Sequence, residues 1–265
     1  MRTRSDCVPC IDEMISTVAA TLLEHRAVAG FMQEVRRLPA MVDPSGPYRS
    51  PEVVRDAWAL LLARTGEADL LADVKQRQNA LALGMYETAL RSAFESPDPF
   101  GAAVKLAAAG NILDAMVDVA GGPTSDLLER VAALRVEPER LETFRRRVAQ
   151  ARRIVYFGDN CGEIVFDRLL LEVIEAFADV EVTFVARSMP ALNDATVADA
   201  PAVGMDAVAI VIGNGLTEAL SARDLYRRLP RLAYRGGDHG VHATRGRELR
   251  PLFRGPQRRL TPSMA

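Results

Sequence analysis

The chain is poor in cysteine, tryptophan and lysine, and it has no long apolar run. Of 265 residues, three are Cys and one is Trp. Three cysteines do not staple a chain of this length, so the fold must rest on its own core, and the expected compartment is a reducing cytoplasm. No uninterrupted apolar stretch approaches the ~18 residues that a membrane span requires, and the mean hydropathy is +0.01. The opening MRTRSDCVPC lacks the apolar segment of a secretory signal. A Walker A loop and a GxGxxG fingerprint are also missing. These absences argue against a membrane protein, a secreted mini-domain and a P-loop nucleotide enzyme. The composition, 49% hydrophobic and 26% charged, argues against a disordered chain.

Lys75 and Lys105 are the only lysines; every other basic residue is arginine. The formal net charge of −2 hides an asymmetry, because eleven arginines face only Asp224, Asp238 and Glu248 across residues 221–265. A basic tail is one footprint of nucleic-acid binding. Only Tyr226, Tyr234 and Phe253 are aromatic there and no recognisable nucleic-acid module is present, so neither nucleic acid nor a membrane is an expected partner.

Residues 1–150 read as a helical subdomain. From Ile11 to about Arg37 apolar residues recur at spacings of three and four. Pro39, Pro44, Gly46 and Pro47 break that pattern. Ser50-Pro51 then offers an N-cap followed by proline in the first turn. Further helices are expected over Val53–Arg64, Ala68–Phe94, Phe100–Val119, Ser125–Ala133 and Glu137–Ala151.

The period changes at residue 151, and residues 151–235 read as an α/β subdomain. Short β-branched runs at Arg153–Phe157, Glu181–Ala186 and Ala207–Ile212 are expected strands, with a helix over Ile164–Phe177. This order predicts a Rossmann-like parallel sheet, whose ligands bind beyond the carboxyl ends of the strands. Residues 236–265 read as an irregular arginine-rich tail, loosely packed beyond about Tyr234, with at most one helix around Ala222–Leu229.

Three segments leave the expected strand ends. Gly158-Asp159-Asn160-Cys161-Gly162-Glu163 sets a carboxylate beside an amide, and both supply hard oxygens suited to Mg²⁺ or Mn²⁺. The alternative is that Asp159 or Asn160 caps the following helix. Arg187 to Asp199 carries a second pair, Asn193-Asp194, which can either share a cation with the first pair or cap a short helix of its own. Gly213-Asn214-Gly215 is a turn signal. Cys7-Val8-Pro9-Cys10 is compatible with a redox pair, half of a zinc site, or semi-buried thiols packing under the helical subdomain. His25 lies on a helix, and His239 and His242 lie in the tail.

These residues resemble the damage-control phosphatase family (DUF89, ARMT1-like domain), in its archaeal and bacterial branch. The pieces that carry the resemblance are Cys7–Cys10, Asp98-Pro99-Phe100 with Lys105, Ala109-Gly110-Asn111-Ile112-Leu113-Asp114, Asp159 to Asp167, and Pro190 to Ala200. The resemblance implies a metal-dependent phosphatase of small phosphorylated metabolites. It implies that Asp159, Asn160 and Asp194 are catalytic and hold a divalent cation (Mn²⁺, Co²⁺, Ni²⁺ or Mg²⁺). It implies that Arg187, Asn193, Lys105 and Asn111 meet the substrate. One departure stands out: the family's Lys-Gly-x-Gly-Asn-type motif, which lines the phosphate site, has no counterpart here. Either activity is impaired, or arginines such as Arg187 or Arg235 replace the lysine. A non-catalytic protein that binds metal and a phosphorylated ligand is the alternative reading.

Overall fold

The computed structural model describes residues 4–48, 50–120, 131 and 133–215. Its helices are α1 (Val8–Leu22), α2 (His25–Val35), α3 (Pro39–Val42), α4 (Ser50–Thr65), α5 (Ala72–Glu95), α6 (Pro99–Ala120), α7 (Pro138–Gln150), α8 (Glu163–Phe177) and α9 (Asp199–Ala202). The strands are β1 (Arg153–Phe157), β2 (Glu181–Ala186) and β3 (Ile210–Gly213). They form a parallel sheet in the order β1-β2-β3. The fold is therefore α/β: a helical N-terminal part followed by a Rossmann-like parallel sheet.

Three expected elements differ, the simplest being the helix expected from Ala68, which begins at Ala72 because the Asp69 side chain takes the Leu71 amide in a turn before it. The apolar period from Ile11 to Arg37 belongs to two helices, not one. The chain turns extended at Leu23 and Glu24, where there is neither proline nor glycine. The break lets α2 fold back on α1, so that Phe31, Met32 and Val35 are buried beside Ile11, Ile15 and Ala19. Arg36 then grips Asp12 through two hydrogen bonds of 2.8 Å. The third strand begins at Ile210, three residues later than its apolar run. Met205–Ala207 forms a single 3₁₀ turn, and the amides of Val208 and Ala209 both donate to the Met205 carbonyl oxygen, which keeps the start of the run out of the sheet. The expected helix over Ser125–Ala133 falls largely outside the described residues. The tail beyond Gly215 falls wholly outside them.

Strand content begins at Arg153, but the packing divides earlier. One apolar cluster joins α1, α2, α3 and α4 around Phe31, Trp58 and Leu61. A second joins α5, α6, α7 and α8 to the sheet. The two meet at the connection between Thr65 and Ala72, so α5, α6 and α7 pack with the strands that follow them. Helix α8 is apolar nearly all round because it is covered on several sides, by the sheet, α5 and α6. Its crossover from β1 to β2 leaves the carboxyl ends of all three strands at one edge, and the candidate site lies there.

Candidate functional site

At the end of β1, Gly158 lies against the ring of Phe184 on β2, so closely that a β-carbon would collide with it. Gly162 has φ of +85°, a left-handed conformation suited to glycine, and the chain enters α8 from it. No side chain caps this helix, so the Asp159 and Asn160 side chains are not used as caps. The second loop is pinned at its base, where Arg187 lies opposite Thr196. Its tip turns through Leu192, at φ of +51°, and Leu192 packs against the α1–α4 core. Helix α9 likewise has no side-chain cap, so Asn193 and Asp194 do not cap it.

Backbone hydrogen bonds join the two loops. The Cys161 amide donates to the Asn193 carbonyl oxygen at 2.9 Å, and the Ala195 amide donates to that of Asp159 at 2.6 Å. Between these bonds, Asn160 lies opposite Asp194 in an antiparallel pair. Residues 34 positions apart in sequence are thus neighbours. The third loop does more than turn. Buried Asn214 donates its amide to Ala186 at 2.9 Å and accepts the Ser188 amide on its side-chain oxygen at 3.1 Å. It thereby buttresses the start of the second loop.

Comparison with known proteins bears on this arrangement. The family model for the damage-control phosphatase ARMT1-like domain matches residues 3–234. The chain belongs to this family. A damage-control phosphatase of Pyrococcus horikoshii is 32% identical over 116 residues, covering 44% of this chain and 40% of that protein. A damage-control phosphatase of Archaeoglobus fulgidus is 33% identical over 171 residues, covering 63% and 56%. The matched parts thus span about half the length of these relatives. A crystal structure of a DUF89 family protein from Pyrococcus horikoshii superposes with a TM-score of 0.71 at 22% identity, covering 86% of this chain and 81% of the other, and shows a shared fold.

Within this family member the electrostatics centre on Asp194. Its side chain is 13% exposed, and Arg187 Nε donates to its Oδ2 at 2.6 Å. Burial pushes its carboxyl above the ordinary range, the Arg187 guanidinium opposes that, and the nearby Asp159 carboxylate adds to it. Below the first loop, Asp167 is fully enclosed and accepts the Tyr156 hydroxyl at 2.5 Å. Burial raises its carboxyl well above the usual value, and the charges of Glu163 and Asp159 reinforce the shift. Among the described residues no three His, Cys, Asp or Glu side chains converge as a metal cluster. The expected ligands on the paired loops are two carboxylates and one amide, those of Asp159, Asp194 and Asn160.

Asp159, Asn160, Asn193, Asp194 and Arg187 therefore share one strand edge. Lys105 lies on α6. It lines a cavity of about 380 Å³ with Ser92, Ser96 and Asp98, and no residue of the two loops lines that cavity. Asn111 follows Gly110, which lies against Glu163 at the start of α8, but the Asn111 side chain lies outside the described residues. Arg235, His239 and His242 also lie outside them. Cys7 and Cys10 form no disulfide; Cys7 is half-buried against the α1–α4 core and Cys10 is exposed. Three polar residues at the loops were not anticipated: Lys75, Asn79 and Asp199. Each carries an ordinary helix or loop signal in sequence, and only the folded chain brings them to the site.

Among the described residues no helix is long and apolar enough to cross a membrane.

Proposed function

We propose that this chain is a divalent-cation-dependent phosphatase of small phosphorylated metabolites. Asp159, Asn160 and Asp194 would hold the cation, which can be Mn²⁺, Co²⁺, Ni²⁺ or Mg²⁺. The observation that carries this reading is the pairing of Asn160 with Asp194 across two loops at the carboxyl ends of adjacent parallel strands. The donor set fits a hard cation, because all three residues supply oxygen. The raised carboxyl of Asp194 fits as well, since Asp159 and burial both disfavour its charge and a bound cation would favour it. The names of the relatives in Pyrococcus and Archaeoglobus support phosphatase chemistry.

When bound, a divalent cation supplies charge neutralisation for a transferring phosphoryl group. The chain's own residues supply the rest. The paired loops fix where the carboxylates stand before substrate arrives, so little reorganisation is needed. The Arg187 guanidinium, held by Asp194, places a fixed positive charge at the edge of the site, where a phosphate oxygen can be met. Asn193, whose carbonyl oxygen binds the Cys161 amide, is carried on the same loop and adds a polar side chain to it.

The missing Lys-Gly-x-Gly-Asn motif favours a second reading, in which the chain binds metal and a phosphorylated ligand without turnover. Phosphate release from a panel of small phosphomonoesters with each of the four cations separates the two. The expected result is cation-dependent release that falls by at least about 100-fold in Asp159→Ala and Asp194→Ala. Cation binding by the wild-type protein with no release on any substrate would favour the second reading. No cation binding at all would overturn both.

A further inference from the structure

Helix α5 meets both loops of the candidate site with side chains one turn apart. Residues four apart on a helix lie on one face, and here they are Lys75 and Asn79. The Asn79 side-chain oxygen accepts the Gly162 amide at 2.7 Å, at the left-handed turn that ends the Asp159-Asn160 loop. The Lys75 ammonium lies 2.7 Å from the Asp199 Oδ2 and 2.7 Å from the Asp69 Oδ2. That same Asp199 oxygen accepts the Thr196 amide at 2.8 Å and the Thr196 hydroxyl at 2.6 Å. Thr196 is two residues beyond Asp194 and lies opposite Arg187 at the base of the second loop.

Lys75 has only 2% of its side chain exposed. A buried ammonium is costly unless it is paired and fully hydrogen-bonded. The direct links between the loops are backbone bonds, and Asn214 and Leu192 anchor the second loop alone. The α5 contacts tie both loops to one rigid element, and they reach 83 and 124 residues along the chain.

We propose that α5 is the brace that sets the separation of the two loops, with Asn79 and Lys75 as positioning residues for Asp159, Asn160 and Asp194. The consequence for cation binding rests on the function proposed above; the consequence for loop order does not. Both side chains are engaged within the chain: Asn79 with Gly162, Lys75 with Asp69 and Asp199. Asn79 holds the first loop through Gly162, and Lys75 holds the second through Asp199 and Thr196.

The test uses the full-length protein with two readouts, amide hydrogen exchange and Mn²⁺ affinity. Asn79→Ala should speed exchange across residues 158–163 by at least tenfold and weaken Mn²⁺ binding by a similar factor. Asn79→Asp keeps the acceptor oxygen and should restore both. Lys75→Met should speed exchange across 187–199 and weaken Mn²⁺ binding. If Lys75→Met does not fold because Asp69 and Asp199 are left facing each other, the double variant Lys75→Met with Asp199→Asn removes that repulsion and still removes the brace. Wild-type exchange at both loops would overturn the proposal, as would acceleration spread evenly over the molecule. Accelerated loops with unchanged Mn²⁺ affinity would overturn the positioning role. If the wild-type protein binds no Mn²⁺, the proposed metal function fails, and exchange alone decides whether α5 holds the loops.

Discussion

Cys161 sits between the Asp159-Asn160 pair and Gly162, from which the chain enters α8, yet it is only 1% exposed. Burial pushes its thiol up to about 12, with the Asp199 carboxylate reinforcing the shift and Lys75 opposing it. Thiolate is the reactive form of cysteine, so Cys161 should be inert although it lies inside the site motif. Iodoacetamide at pH 8 should modify exposed Cys10 and leave Cys161 untouched until the protein is denatured; equal labelling of the two in the native protein would refute this. The Asp12–Arg36 pair gives a second residue-scale outcome. Hydrogen bonds from Arg36 hold the Asp12 carboxyl below its ordinary value. Its contribution is thus present above the ordinary carboxylate range and is lost as pH falls through the lowered value. Asp12→Asn should melt slightly earlier than wild type at pH 7, and the two should converge in acid. A gap that widened toward low pH would have the wrong sign.

At the scale of elements, legibility followed how local the determinant was. Strands β1 and β2 begin and end where their β-branched runs do, because each run is flanked by turn or helix signals. β3 starts late because a 3₁₀ turn after Gly204 captures Val208 and Ala209, and their apolar character alone does not reveal that. The α1–α2 break was invisible because no residue there disfavours helix; it is imposed by burying Phe31 and Val35. The candidate site divides in the same way. The Asp159-Asn160 and Asn193-Asp194 pairs could be read from loop motifs at strand ends, while the choice of Asp159, Asn160 and Asp194 as ligands is what the family resemblance implies. Lys75 and Asn79 could not, since their partners at the site, Asp199 and Gly162, are scores of residues away and a helix position gives no sign of them. The first loop depends on glycine at one place in particular. Gly162→Ala would force a side chain into φ of +85° with its β-carbon 3.3 Å from the Gln78 carbonyl oxygen. It should cost about 1–3 kcal/mol by chemical denaturation. A neutral substitution would mean that the turn readily adopts another conformation.

On the scale of the whole molecule, the second loop bridges both cores. Asp199 binds Lys75 on α5, within the larger core, while Leu192 packs into the α1–α4 core. Leu192 holds a left-handed conformation that costs an ordinary residue roughly 1–2 kcal/mol, and its apolar burial offsets that cost. Trp58, the only tryptophan of the chain, lines the same small apolar cavity as Leu192, with Ile15 and Phe31. Its fluorescence therefore reports on the α1–α4 core at the point where the site loop enters it. A ligand that binds only the folded state stabilises it by mass action, by about 2.7 kcal/mol at a hundredfold excess over Kd. Added Mn²⁺ should accordingly raise the melting transition seen by Trp58 emission together with that seen by far-ultraviolet circular dichroism. Leu192→Ala removes the peg without touching an oxygen ligand. In that variant Mn²⁺ should still shift the dichroism transition, while the Trp58 transition should shift less and separate from it. Superimposable shifts in the variant would show that the two cores communicate through the α4–α5 connection instead of through the site loop.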